Sequence, residues 1–227
     1  RAGDRGASPV VGHGVRLIPV LALLPALASA QFVWPKPEYN RHDPSVYGED
    51  PYIVKYRNRF FAVFRGDFAT FEKAYAEIED EVRKSPNDPR ALVWRGNGKT
   101  VRAGLLKFRK QEKEALALLA DSRRDMDRAV AMRPHDPNIF MMRAATLYIQ
   151  GQYWTKEELP RSVWATLAAD CRRFLAVVGP ARIPKLSVHV RGEAYGELGI
   201  ALKNLGDVEG ARRAFATLLK TDPGTAY

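Results

Sequence analysis

From residue 52 onward, apolar side chains recur at three- and four-residue steps, and no stretch alternates with a period of two. Ile53, Tyr56, Phe60 and Phe64 form one stripe, broken by Gly66-Asp67. Phe71, Ala74, Tyr75, Ile78 and Val82 form a second, stopped at Ser85-Pro86-Asn87-Asp88-Pro89. The same rhythm predicts helices over residues 91–106 and 112–132, closed by Arg133-Pro134-His135-Asp136-Pro137. Two more follow over 139–149 and 163–178, joined by a polar insert at 150–162 and closed by Gly179-Pro180. The last two cover 186–205 and 208–220 and end at Asp222-Pro223-Gly224. Each stop is built from residues that favour turns or cannot continue a helix.

The closing prolines, Pro86, Pro134, Pro180 and Pro223, stand 48, 46 and 43 residues apart, and each interval holds two helices. A single hairpin cannot bury its own apolar face, so such a period predicts stacking. The expected fold is all-α: stacked antiparallel helical hairpins, about four helix pairs, spanning 52–227. An irregular bundle with one repeat-like hairpin is the competing reading.

The chain before residue 52 is different. Residues 1–16 hold three arginines and one aspartate; 17–27 is an uncharged apolar run; Ala28-Ser29-Ala30 supplies small residues. A basic leader, a short apolar core and an A-x-A ending are the parts of a secretory signal peptide. The stretch from 17 to 30 is short for a membrane span, and Pro19 and Pro25 interrupt it. Residues 1–30 are therefore expected to be a signal peptide, cleaved near Ala30-Gln31, with a secreted or periplasmic product. Residues 31–51 carry Pro35, Pro37, Pro44 and Pro51 among aromatics, a proline-rich extended lead-in.

The last hairpin resembles a known family. Tyr195-x2-Leu198-Gly199-x2-Leu202, Gly206-Asp207, Ala211, Phe215 and Pro223 are similar to a tetratricopeptide repeat. In that pattern Gly199 and Ala211 allow close helix crossing, Gly206 ends the first helix, and Phe215, Leu218 and Leu219 fill the groove between hairpins. Ala144 and Gly96 take the small place in earlier repeats, with Gly151 ending the helix of the former. Those repeats are longer than the family's usual length, and Arg95 and Arg143 replace the leucine before the small residue.

The resemblance implies an α-α superhelix that binds a protein or peptide segment in a groove lined by first helices. By helix position the groove candidates are Trp94, Asn97, Met141, Arg143, Tyr148 and Asn204. Some family members clamp a C-terminal carboxylate with lysine and asparagine; here Gly196 and Ile200 occupy the corresponding places of the last repeat, against such a clamp. The final hairpin has no polar cap after it, so Phe215, Leu218 and Leu219 are expected to be covered by the lead-in, a partner or self-association.

Composition narrows the function. The chain has 227 residues, 46% hydrophobic and 27% charged, which excludes wholesale disorder and a multi-pass membrane protein. One cysteine excludes a disulfide framework and a cysteine-built zinc site. The net charge of +10 falls to +8 without the leader. Residues 172–191 hold Arg172, Arg173, Arg182, Lys185 and Arg191 with no acid, and 102–113 holds Arg102, Lys107, Arg109, Lys110 and Lys113 against Glu112. The first cluster is the basis of an alternative function, binding a polyanion or a membrane surface. An ordinary solvated basic face is the reading it competes with. Export makes acidic proteins, envelope polymers or lipid the expected partners, and nucleic acid is not expected.

Motifs for chemistry are lacking. Gly96-Asn97-Gly98-Lys99-Thr100 imitates a phosphate loop, but Val93 stands where the motif needs glycine and a helix start replaces the strand. His13, His42, His135 and His189 show no ligand spacing, and His135 is expected in an exposed turn. Glu77, Glu79, Asp80 and Glu81 point around a helix rather than together. Cys171 reads as buried packing. No catalytic residue, metal or cofactor is expected, and the chain is read as a non-enzymatic scaffold.

Overall fold

The computed structural model describes residues 51–155 and 157–223. The leader at 1–30, the lead-in up to residue 50, His13 and His42 lie outside the described residues, as does Gly224 of the last stop.

The described chain is all-helical, with no strand among the described residues. Eight helices follow one another: α1 (Pro51–Phe60), α2 (Phe68–Lys84), α3 (Pro89–Phe108), α4 (Glu112–Met132), α5 (Pro137–Tyr153), α6 (Arg161–Val178), α7 and α8 (Val208–Thr221). Helix α7 is composite, with α-helical ends Val188–Arg191 and Leu198–Leu205 around a π-helical stretch, Gly192–Glu197. Consecutive helices pair as hairpins α1/α2, α3/α4, α5/α6 and α7/α8, and each first helix also packs on the preceding hairpin. This is the stacked-hairpin architecture that the proline period predicts.

The turns work as the sequence suggests. Asp88 and Asp136 cap the N-termini of α3 and α5 by accepting from Arg90 N and Asn138 N, with Pro89 and Pro137 in the first turn. Asp67 and Asp207 cap α2 and α8 in the same way. Gly206 closes α7 at φ 87°, a left-handed conformation that favours glycine. His135 is exposed in its turn.

Small residues set the helix spacing at two crossings. A Cβ on Gly199 would lie 2.6 Å from the Phe215 ring, and one on Gly96 would lie 2.5 Å from Met126 Cγ. The glycines of the phosphate-loop look-alike therefore lie in mid-helix, and Gly98 receives the Tyr75 ring. Gly151 does not end its helix, contrary to expectation. Helix α5 continues to Tyr153 because Gly151 lies beneath the Trp164 ring. The insert before α6 is not merely polar either: Trp154 and Leu159 are buried in it. Lys107 reaches over it to Glu158, 2.5 Å away, and across the Trp154 ring.

The core runs through all four hairpins, from Tyr56, Phe60 and Trp94 through Phe140 and Met141 to Phe174 and Leu202. No helix among the described residues is long and apolar enough to cross a membrane.

Candidate functional site

The first helices of the second and third hairpins meet at a buried polar seam. Between α3 and α5, Asn97 donates to Thr146 Oγ1 at 3.0 Å and Gln150 donates to Thr100 Oγ1 at 2.9 Å. Thr100 also meets Ser122 Oγ on α4, and Ser122 donates to the Gly96 carbonyl at 2.7 Å. Arg123 donates to Gln150 Oε1, and burial lowers its guanidinium. A mutually satisfied set like this favours one register of α5 on α3, because a slip strands several buried groups.

Within hairpins, carboxylates are matched by arginines. Arg95 forks onto Asp125 at 2.8 and 2.6 Å, and Lys99 adds a third contact at 2.7 Å. Arg143 forks onto Asp170 at 2.7 and 2.8 Å and reaches Asp127 at 2.8 Å. Arg191 forks onto Asp222 at 2.7 and 2.5 Å, and Arg59 onto Glu77 at 2.7 Å twice. Burial pushes the Asp170 carboxyl up and the Arg143 fork pulls it back; the same bond, working against burial, raises Arg143. Such bidentate, charge-assisted bonds are shorter and stronger than neutral ones. Arg95 and Arg143 each stand opposite an aspartate on the facing helix of their hairpin.

The π-helical stretch of α7 breaks this rule. Glu193 is 8% exposed and Glu197 1%, and Oε2 of each is buried without a hydrogen-bond partner. His189 Nε2 lies 3.1 Å from Glu193 Oε1. Burial pulls the His189 imidazole down, but the Glu193 charge and hydrogen bond outweigh it and raise it. Burial, then the neighbouring Glu193 charge, pushes the Glu197 carboxyl well above the usual carboxylate range. An α-helix carries a fourth residue about 40° past the first. A wider π turn counters that drift and is often found at functional sites.

Around this cluster stand Tyr148 of α5, half-buried, and Cys171 of α6, fully buried. Burial, reinforced by Glu197, pushes the Tyr148 phenol up. Burial, followed by Glu197, Asp170 and Glu193, pushes the Cys171 thiol up, the opposite of what a nucleophile needs. No group of three or more His, Cys, Asp or Glu among the described residues is placed to hold a metal ion.

The predicted groove residues scatter. Trp94 and Met141 are at 0% exposure and Asn97 at 1%, so they build the core and the seam rather than a groove surface. A first helix is enclosed by its own partner and the preceding hairpin, which leaves few of its positions free. Arg143 is engaged by two aspartates. Asn204 is partly buried and donates to the Ile200 carbonyl. Tyr148 alone of the six combines partial exposure with the acid cluster.

The basic cluster is not acid-free in space. Arg191 is held by Asp222 and by the Pro184 and Leu186 carbonyls. Arg172 faces Asp207 at 4.0 Å, and Arg173 lies over the Phe140 ring. Arg182 is partly buried, and Lys185 is exposed on a short 3₁₀ turn. The four carboxylates of α2 part company as expected, and each finds a partner: Glu77 takes Arg59, Glu79 takes Tyr75, Asp80 takes Lys84, and Glu81 takes Tyr52, Tyr56 and Lys55. Cover for the last hairpin is partly internal. Leu218 is buried and Phe215 half-buried on Gly199, whereas Leu219 stays half-exposed.

The residues missed from sequence are Glu193 and Glu197. Their signal was available: His189, Glu193 and Glu197 recur every four residues on the helix whose apolar stripe faces inward. A shallow recess of about 380 Å³ lined by Glu79, Val82, Arg83, Pro86, Arg95 and Arg128 lies elsewhere, between the first two hairpins. Comparison with protein families, curated proteins and solved structures yields no match.

Proposed function

We propose that this chain is a non-enzymatic, tetratricopeptide-like scaffold that holds a protein or peptide segment on the face of its first helices, outside the cytoplasm. The observation that carries this reading is the way the first helices are fixed. A buried seam fixes α5 on α3, and forked ion pairs fix α3, α5 and α7 each to the partner helix of its own hairpin. A rigid row of helices loses little freedom on binding an extended segment. The leader pattern at 1–30 supports export, and N-terminal sequencing of the exported protein should read Gln31 first. The basic cluster supports the polyanion alternative less well, since Arg191 is engaged by Asp222.

A photo-crosslinking amino acid at Tyr148 tests the reading, with Arg124 on the exposed face of α4 as control. Crosslinks to a discrete partner from position 148 but not from 124 are expected. Equal yields from both, or none from 148, overturn it.

A further inference from the structure

The arginines that fork onto acids are matched: Arg59 by Glu77, Arg143 by Asp170 and Arg191 by Asp222. The recess between the first two hairpins is not balanced in this way. It measures about 380 Å³ and is lined by Glu79, Val82 and Arg83 of α2, Pro86 of the turn that follows, Arg95 of α3 and Arg128 of α4. Arg95 is 20% exposed and held by Asp125, with Glu79 3.8 Å away. The other two arginines are the exposed ones and form the rim. Arg83, 75% exposed, shares Asp80 with Lys84. Arg128 is exposed, and its partner is the neutral amide oxygen of Asn87. An amide oxygen satisfies a donor without cancelling the charge, and a guanidinium has further donors to offer. With the groups they touch, the charged side chains here are Arg83, Lys84, Arg95, Lys99 and Arg128 against Glu79, Asp80 and Asp125, so positive charge is in excess.

We propose that this recess is a carboxylate site: Arg83 and Arg128 hold a single carboxylate at the rim, and the carbon stem that carries it lies on Val82 and Pro86. The planar guanidinium fork matches the two oxygens of a carboxylate. Glu79 in the lining repels a second negative charge, which favours a carboxylate over a phosphate dianion. The volume stands at the lower end of the range for small-ligand sites and exceeds what a bare ion fills. The carboxylate comes from a glutamate or aspartate side chain of a peptide, or from a free small organic acid; the chemistry at the two arginines is the same. The site is independent of the first-helix reading, whose Tyr148 belongs to α5 and takes no part in the recess.

The full chain is titrated at low ionic strength with Gly-Ser-flanked peptides centred on Glu, Gln or phosphoserine, and with glutarate alone. The Glu peptide should bind at least about fivefold tighter than the Gln peptide. R83Q/R128Q should abolish that preference. R212Q/R213Q, which removes the same charge from exposed positions of α8, should keep it. In the wild type, the Nε–Hε resonances of Arg83 and Arg128 should shift when the Glu peptide is added, a readout that needs no variant to fold. Glutarate binding as tightly as the Glu peptide, with the same arginine dependence, upholds the site and assigns it to a free acid; a tighter Glu peptide assigns it to a peptide. A preference that survives R83Q/R128Q, or that R212Q/R213Q removes equally, overturns the site. So does a phosphoserine peptide that binds tighter than the Glu peptide, a shift confined to other arginines, or absence of binding in every arm. Crosslinking from position 148 should be unchanged in R83Q/R128Q, so failure of this site and failure of the first-helix reading are distinguishable.

Discussion

The third and fourth hairpins bury acids in opposite ways. In the third, Asp170 is 2% exposed and sits in the fork of Arg143. In the fourth, Glu197 is equally deep, but its Oε2 meets nothing. Both are carboxylates on packed helices within one continuous core, and burial acts on both in the same direction. The difference is the counter-charge. With it, the acid ties two helices together and belongs to the scaffold. Without it, burial holds the Glu197 carboxyl well above the usual carboxylate range. A buried carboxylate thus ties helices together only where the facing helix supplies the cation.

The comparison is broken most severely by removing the tie. Asp170→Ala removes the fork from Arg143, whose side chain is 13% exposed, leaving it only the single contact to the exposed Asp127, and should cost about 3 kcal/mol in chemical denaturation. A loss within surface-mutation scatter would mean the fork contributes no specificity. Thr146→Val deprives Asn97 of its acceptor in the seam and should cost about 1–3 kcal/mol, leaving the denaturant slope unchanged.

Glu197→Gln should act in the other direction. The fold holds a proton on Glu197 that the unfolded chain gives up near its ordinary value of 4.5. The stability that proton lends is fully present at lower pH and is lost as pH rises through the folded value. The variant should therefore match the wild type near about pH 4 and exceed it in melting temperature by a growing margin toward about pH 8. A margin independent of pH would place the effect in packing instead. The smallest effect belongs to Arg172→Ala. That side chain is 58% exposed and 4.0 Å from Asp207, so its loss should change stability by no more than about 0.5 kcal/mol.

Much of the architecture was legible in the sequence because helix stops are local. Proline, glycine and capping aspartate act on their own neighbours, so Pro89, Asp136 and Gly206 could be read one at a time. Gly96 and Gly199 do lie at close helix crossings, where a Cβ would meet Met126 and Phe215. Gly151 was misread because its constraint, the Trp164 ring, lies on the next helix. The site was less legible. Position on a first helix does not separate Trp94, which is enclosed, from Tyr148, which is not. The run at 172–191 looked free of acids because its partners Asp207 and Asp222 come from the last helix. Whether an acid is matched depends on pairings 27 to 31 residues apart, such as Arg143 with Asp170 and Arg191 with Asp222. Periodicity within one helix carries no information about them.

The contrast between the matched and the unmatched acid is tested most directly by following the glutamate side-chain carboxyl carbons by NMR through a pH titration of the full chain, with Glu197 assigned from E197Q. Glu197 should remain protonated well above the range in which the exposed glutamates ionise. Glu197 ionising together with the exposed glutamates would contradict the account.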